Sequence, residues 1–276
     1  MSDPVLAIEN LSAAIPGGPA LLRHVSLSVA AGEVHGLVGT SGAGKSMIGR
    51  CVLGILPASV RVTGGAIRFL GENLVGLSER ARRAAGAELA LIPQDPLSAL
   101  NPSRRIAAQM TDVMRLRLGL SRAEAHARAL AMLEEVHIRD PEHVLRRYPH
   151  ELSGGMRQRV LIATAFACEP RLIVADEPTT ALDVTVQKQI LRLIRELQRK
   201  HGTALLFVTH DLGVVAKICN AVSVLNAGEI VEQAPVADIF LRPRHAYTQA
   251  LFAATPRYDR PGETLRPLPA DLLAHP

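Results

Sequence analysis

The sequence predicts an α/β fold with an antiparallel β layer at its start and a helical insertion in its middle, and three patterns predict it. Val5-Leu6-Ala7-Ile8-Glu9-Asn10-Leu11 and Val25-Ser26-Leu27-Ser28-Val29 alternate apolar and polar residues around a Pro-Gly-Gly turn. Such period-two alternation marks strands buried on one face only, as antiparallel layers are. Short apolar runs at Glu33–Val38, Leu172–Ala175 and Leu205–Val208 are each followed by helix-forming sequence, the alternation of a parallel sheet. Between Ser103 and Arg147 the period becomes helical, rich in Ala, Arg, Leu and Glu, with Ser121 placed as an N-cap before Arg122-Ala123-Glu124.

Taken in order, the strand Glu33–Val38 runs into a glycine-rich loop, and a helical stretch follows from Lys45 to about Leu56. The loop Gly39-Thr40-Ser41-Gly42-Ala43-Gly44-Lys45-Ser46 matches G-x-x-x-x-G-K-[ST]. Glycines at these places let several backbone N–H groups point inward, and the helix N-terminus adds its positive end, so a polyphosphate is held without heavy desolvation. Lys45 is placed to reach the β- and γ-phosphates, and Ser46 to give a hydroxyl to Mg²⁺.

Further along, Leu172-Ile173-Val174-Ala175-Asp176-Glu177 is an apolar strand ending in two carboxylates. Beside a bound nucleotide, Asp176 would hold Mg²⁺ through water and Glu177 would act as general base on the attacking water. Taken alone, the pair reads equally as a strand that ends in solvated acids. Leu152-Ser153-Gly154-Gly155-Met156-Arg157-Gln158, just before a helix, is a second anion-binding helix start.

Composition narrows the possibilities without deciding among them. The 276 residues are 48% apolar and 21% charged, enough for one large α/β domain. Aromatics make up only 3%, with no Trp, which disfavours proteins that stack nucleic-acid bases. The formal charge of +5 comes from 31 basic and 26 acidic residues spread along the chain, the balance of a solvated surface rather than a nucleic-acid or membrane face. No run approaches the ~20 apolar residues that span a bilayer, and Met1 to Asn10 lacks the pattern of a signal peptide, so a cytoplasmic location is expected. Cys51, Cys168 and Cys219 are too far apart in sequence for zinc or iron–sulfur spacing and read as reduced thiols. No solenoid repeat and no second nucleotide loop are present.

The loop, the paired carboxylates and the Leu152–Gln158 stretch together resemble the ABC ATPase family, whose signature reads LSGGQ or close to it; the resemblance runs from about Val5 to His245. It implies a P-loop NTPase core with an antiparallel β layer and a helical insertion subdomain, binding ATP with Mg²⁺. In that family the signature of one subunit caps the γ-phosphate held by the other's phosphate loop, in a head-to-tail dimer. Ser153, Gly154 and Gly155 match those signature positions. The resemblance also assigns Gln94 to the loop that senses Mg²⁺ and the pore, Asp183 to the turn after the second carboxylate, and His210 to the γ-phosphate switch. Gln94 carries an amide that both donates and accepts, and His210 follows an apolar strand. Where the family stacks adenine on an aromatic side chain, Ser12-Ala13-Ala14-Ile15 has none, which leaves Ile15 to cover the ring by apolar contact.

Gln94-Asp95-Pro96-Leu97-Ser98-Ala99-Leu100-Asn101-Pro102 and the segment from Ile230 through Pro243-Arg244-His245-Ala246-Tyr247-Thr248 look like the importer subfamily for dipeptides, oligopeptides and nickel. The resemblance implies a second, non-identical ATPase subunit, two transmembrane permease subunits and an extracytoplasmic substrate-binding protein, with this chain peripheral on the cytoplasmic face of the membrane and no nucleic acid involved. Peptide import is the broader reading. The absence of cysteines after Cys219 and the run Leu53–Val60 also look similar to nickel and metallophore importers. A soluble ABC ATPase, such as the accessory ATPase of phosphonate breakdown, is the remaining alternative. The expected organisation is an ATPase domain over 1–245, its helical insertion at about 95–165, and an extension over 246–276 that is disordered after about Arg257.

Overall fold

The computed structural model describes residues 3–180, 182–254 and 269. The chain divides into two compact units, Met1–Arg82 with Ala204–Pro276, and Arg83–Thr203.

The first unit opens with β1 (Leu6–Ala14), β2 (Ala20–Val29), β3 (Val34–Val38), α1 (Lys45–Leu53), β4 (Arg61–Phe69), β5 (Glu72–Asn73) and α2 (Glu79–Ala85), whose last residues belong to the second unit. The expected antiparallel layer is larger than its two legible strands, with order β2-β1-β4-β5. β4 escapes a reading by alternation because Gly64 and Gly65 interrupt its apolar positions. All five residues of β3 are buried. Its one polar member, His35, is satisfied by Ser223 Oγ at 2.8 Å on Nε2 and by Glu33 at 3.0 Å on Nδ1. α1 stops three residues before the expected Leu56, because Gly54 takes the left-handed conformation and caps the helix on the Arg50 and Cys51 carbonyls.

The second unit carries β6 (Leu89–Ile92), α3 (Pro96–Ala99), α4 (Ile106–Leu118), α5 (Arg122–Glu135), α6 (Pro141–Arg146), α7 (Gly154–Phe166), β7 (Leu172–Asp176) and α8 (Val184–His201). β6 and β7 pair in parallel from Leu89↔Leu172 to Ile92↔Ala175. The stretch read as helical holds α4, α5 and α6, and Ser121 caps α5 as expected: its hydroxyl accepts from Glu124 N while Glu124 accepts from Ser121 N at 2.8 Å. The compact unit is wider than the expected insertion, since it takes in β6, β7 and α8 as well.

The first unit resumes with β8 (Ala204–Val208), α9 (Leu212–Ile218), β9 (Ala221–Asn226), β10 (Glu229–Pro235), α10 (Val236–Leu241) and α11 (Ala246–Ala253). β3 pairs in parallel with β8 on one side and β9 on the other, and β10 closes on β9 as an antiparallel hairpin. The start of the C-terminal extension is ordered helix. Tyr247 and Leu251 of α11 pack with Val38, Leu212, Val222, Val224 and Ile239 in one apolar cluster. Disorder beyond Arg257 concerns residues outside those described. No described helix is long and apolar enough to cross a membrane.

Candidate functional site

The residues singled out in the sequence fall into two half-sites, one in each unit. In the first unit β3 delivers the chain into the loop from Gly39 to Gly44, and α1 begins at Lys45. A Cβ at Gly39 would overlap the Leu225 carbonyl oxygen, so the loop can lie this close to β9 only with glycine there. The Lys45 side chain is only 5% exposed and folds back over the loop, donating to the carbonyls of Gly39 at 2.9 Å and Thr40 at 2.8 Å. Its ammonium is thus already gathered where phosphate oxygens would compete for it. α1 is capped by Gly44 with no side-chain cap, and its own first turn contains no acid, so its N-terminal dipole faces the loop.

The loop is fastened at two points by residues far along the chain. Gly228, at the β9–β10 turn, donates its N–H to Ala43 O at 3.0 Å. Tyr247 of α11 accepts from Thr40 N and donates to Thr40 Oγ1, both at 3.2 Å. Ser41 and Gly42 are exposed at the loop's crest, and Ser46 is half-buried at the start of α1.

His210 is exposed, two residues beyond β8. Its neighbours hold the backbone on both sides. Thr209 N donates to Leu37 O at 3.1 Å, and the Asp211 carboxylate caps α9 through Gly213 N at 2.8 Å. Ile15 lies half-buried past the end of β1.

In the second unit β7 ends at Asp176, and Glu177 bends the chain with φ +45°, a left-handed conformation uncommon for a non-glycine residue. Its carboxylate Oε2 accepts from Thr180 Oγ1 at 2.9 Å and from Gln94 Nε2 at 3.3 Å. Gln94 reaches it from two residues past β6, so two residues 83 apart in sequence meet here. Asp183 is the N-cap of α8, accepting from Thr185 N at 3.0 Å and Val186 N at 2.9 Å. Ser153 caps α7 in the same way through Met156 N at 3.3 Å, with Gly154 and Gly155 forming the first helical residues. Asp95 caps α3, and its carboxyl is held below the usual range by the N–H of Leu97, helped by Ser98.

Chemically, the first half-site gathers a cation and a helix start around a loop of backbone amides, the means to hold a polyphosphate. The second presents two acids at a strand end, one oriented by an amide and a hydroxyl. Thr180 and Tyr247 were not singled out by sequence as site residues. Thr180 is legible afterwards as a hydroxyl three residues from Glu177, but the Tyr247–Thr40 pairing spans 207 residues and leaves no local trace.

Residues 22–180 match the family model for the ABC transporter, and residues 231–274 match that of the oligopeptide/dipeptide transporter C-terminal region. The chain belongs to the ABC transporter family, as the loop, carboxylates and signature imply. Among its relatives, a probable D,D-dipeptide transport ATP-binding protein of Escherichia coli is 48% identical over 274 residues, 98% of this chain and 84% of that protein. An oligopeptide transport ATP-binding protein of Salmonella typhimurium is 43% identical over 256 residues, 92% of this chain and 76% of the other. In structure, the chain is similar to CbiO1 from Clostridium perfringens, part of an ABC transporter complex, with TM-score 0.77, 26% identity and coverage of 87% and 92%. It is also similar to a dimeric ATP-binding cassette solved in a post-hydrolysis state with ADP and Pi, with TM-score 0.74, 25% identity and coverage of 84% and 98%. The α/β fold with its antiparallel layer is that of ABC ATPases.

Proposed function

We propose that this chain is the ATP-hydrolysing subunit that energises an ABC importer of dipeptides or oligopeptides. The observation that carries the reading is the match of residues 231–274 to the peptide-transporter C-terminal region, on a chain that aligns over 98% of its length with a dipeptide transport ATP-binding protein.

In this reading the Gly39–Ser46 loop binds ATP, and Lys45 exchanges the Gly39 and Thr40 carbonyls for β- and γ-phosphate oxygens. Ser46 in the first unit, and Asp176 and Gln94 in the second, each offer an oxygen ligand, the type that suits a hard cation such as Mg²⁺. There it would supply charge neutralisation on the phosphates. Glu177 is the general base, and its hydrogen bonds from Thr180 and Gln94 hold one oxygen and leave the carboxylate aimed by the bent backbone. His210 contacts the γ-phosphate. Ser153, Gly154 and Gly155 cap the γ-phosphate on a partner's loop, and Asp183 belongs to the turn that follows the second carboxylate. The working unit is then a pair of ATPase subunits, this chain and a related one, seated on two permease subunits at the cytoplasmic face of the membrane and served by a substrate-binding protein.

The test is uptake by the assembled transporter, with ATP binding measured on the same preparation. Labelled di- or oligopeptide should accumulate in an ATP-dependent way. Lys45→Ala should weaken ATP binding roughly 10- to 100-fold, the scale of losing a charge-assisted contact, and stop uptake. Uptake of nickel but not peptide would overturn the cargo, and unchanged ATP affinity in Lys45→Ala would overturn the site.

A further inference from the structure

We infer that Tyr247 is a positioning residue for the nucleotide, through which the C-terminal helix α11 sets the shape of the phosphate loop; this rests on the reading of that loop as the ATP site. The phenol of Tyr247 makes two hydrogen bonds to one loop residue, accepting from the Thr40 backbone N–H and donating to the Thr40 hydroxyl, each at 3.2 Å. One O–H with its lone pairs is thereby spent on Thr40 alone. The Thr40 carbonyl in turn takes the Lys45 ammonium at 2.8 Å and the Ala43 N–H at 3.2 Å. The residue that Tyr247 holds is therefore also one of the two whose carbonyls orient the loop's cation.

The far end of this linkage is equally well built. Tyr247 is completely buried, in the apolar cluster that also holds Leu212, Ile239 and Val38, the residue immediately before the loop. The start of α11 is set by His245, whose Nδ1 accepts from Tyr247 N at 3.1 Å, and by Glu232 of β10, whose carboxylate accepts from Arg244 N at 2.8 Å and His245 N at 3.0 Å. Phe240 and Phe252 lock α10 to α11 edge-to-face with ring centroids 4.8 Å apart. A glycine-rich loop has little stiffness of its own, so an anchor on a rigid helix lowers the cost of ordering it around a polyphosphate. The segment that matches the peptide-transporter C-terminal region thus reaches the phosphate loop directly.

Tyr247→Phe removes the hydroxyl and keeps the packed ring, whereas Tyr247→Leu removes both. The full-length chain is titrated with Mg-ATP, its ligand-free melting is recorded, and steady-state ATPase is measured in the assembled transporter. Tyr247→Phe should weaken ATP binding about three- to tenfold, the range for losing one or two neutral hydrogen bonds. KM should rise by the same factor, with kcat at saturating ATP kept within about twofold. Combined with Thr40→Val, it should add less than the sum of the two single effects, because both act through one contact. Wild-type ATP affinity and KM in Tyr247→Phe would overturn the inference, as would a loss that follows only the fraction unfolded, or strict additivity with Thr40→Val. A wild-type chain that fails to bind ATP, or binds it as well with Lys45→Ala, takes down the underlying site; intact Lys45-dependent binding with a silent Tyr247→Phe takes down this inference alone.

Discussion

Each half-site keeps its own shape by different means. The carboxylate turn is fastened mostly by its own neighbours: Thr180 bonds Glu177 from three residues on, and Asp183 starts α8 by capping Thr185 and Val186. The phosphate loop is fastened from far away, by Gly228 at Ala43 and by Tyr247 at Thr40, 207 residues distant. The difference follows from what each half must present. A loop that offers backbone amides is made mostly of glycine and small residues, which lose the most freedom on ordering and, Lys45 apart, have little side chain with which to brace it. A turn that presents acids has side chains within reach, and these cap and bridge it locally. Disturbing the first half should therefore need a distant change or a steric one, while the second should yield to changes nearby.

The largest expected effect breaks the carboxylate half alone. Glu177→Gln keeps size and hydrogen-bonding capacity but removes the carboxylate proposed as general base, so hydrolysis should fall on the order of 10²- to 10⁴-fold while ATP binding persists and the ATP-bound dimer accumulates. Single-turnover hydrolysis with sizing of the complex, in the presence of the partner subunit, reads both. Near-normal turnover would move the role of base to another group. Next comes the phosphate half: Gly39→Ala forces a methyl group onto the Leu225 carbonyl, and displacing that contact should cost about 1–3 kcal/mol, seen as roughly 5- to 150-fold weaker ATP binding by equilibrium titration. Affinity equal to wild type would show that the loop can retreat from β9 without harm.

A smaller change sharpens the local side of the comparison. Asp183→Ala should remove the cap of α8 at a cost of about 1 kcal/mol, lowering the melting temperature by roughly 2–4 °C; no change in melting would mean that water replaces the cap. The smallest effect lies away from both half-sites. Burial pushes the Glu135 carboxyl up, but Lys200 and His201 outweigh it and hold the group below its ordinary 4.5. A lowered folded-state value stabilises the protein above pH 4.5, and that contribution is lost as pH falls through the lower value. Because these side chains are partly solvated, Glu135→Gln should cost no more than about 1 kcal/mol at neutral pH, and the difference from wild type should vanish in acid. A gap that widens on acidification would contradict this sign.

The site was legible where its chemistry is written in consecutive residues. Gly39 to Ser46, Asp176 with Glu177, and Ser153 to Gly155 can be read as motifs because a glycine-rich turn into a helix, a pair of acids at a strand end and a helix cap each need fixed residue types at fixed short spacing. Ser121 was readable for the same reason, since a capping box closes within three residues. The strand β4 was not, because its paired glycines erase the alternation that marks a strand, and its place beside β1 depends on a partner some fifty residues earlier. The short hairpin β9–β10 was likewise unread, although its turn at Ala227 and Gly228, both with positive φ, ties into the phosphate loop.

By itself the sequence determined which groups could do chemistry and which local elements would carry them, since motif spacing, strand alternation and helix caps are settled within a few residues of chain. Only the tertiary structure decided what those groups lean on: that Gln94 reaches Glu177, that Leu225 leaves room for nothing larger than glycine at position 39, and that Tyr247 of the extension grips Thr40. Such contacts form when strand pairing and core packing bring distant segments together, and no spacing along the chain encodes which side chains will then be within hydrogen-bonding distance.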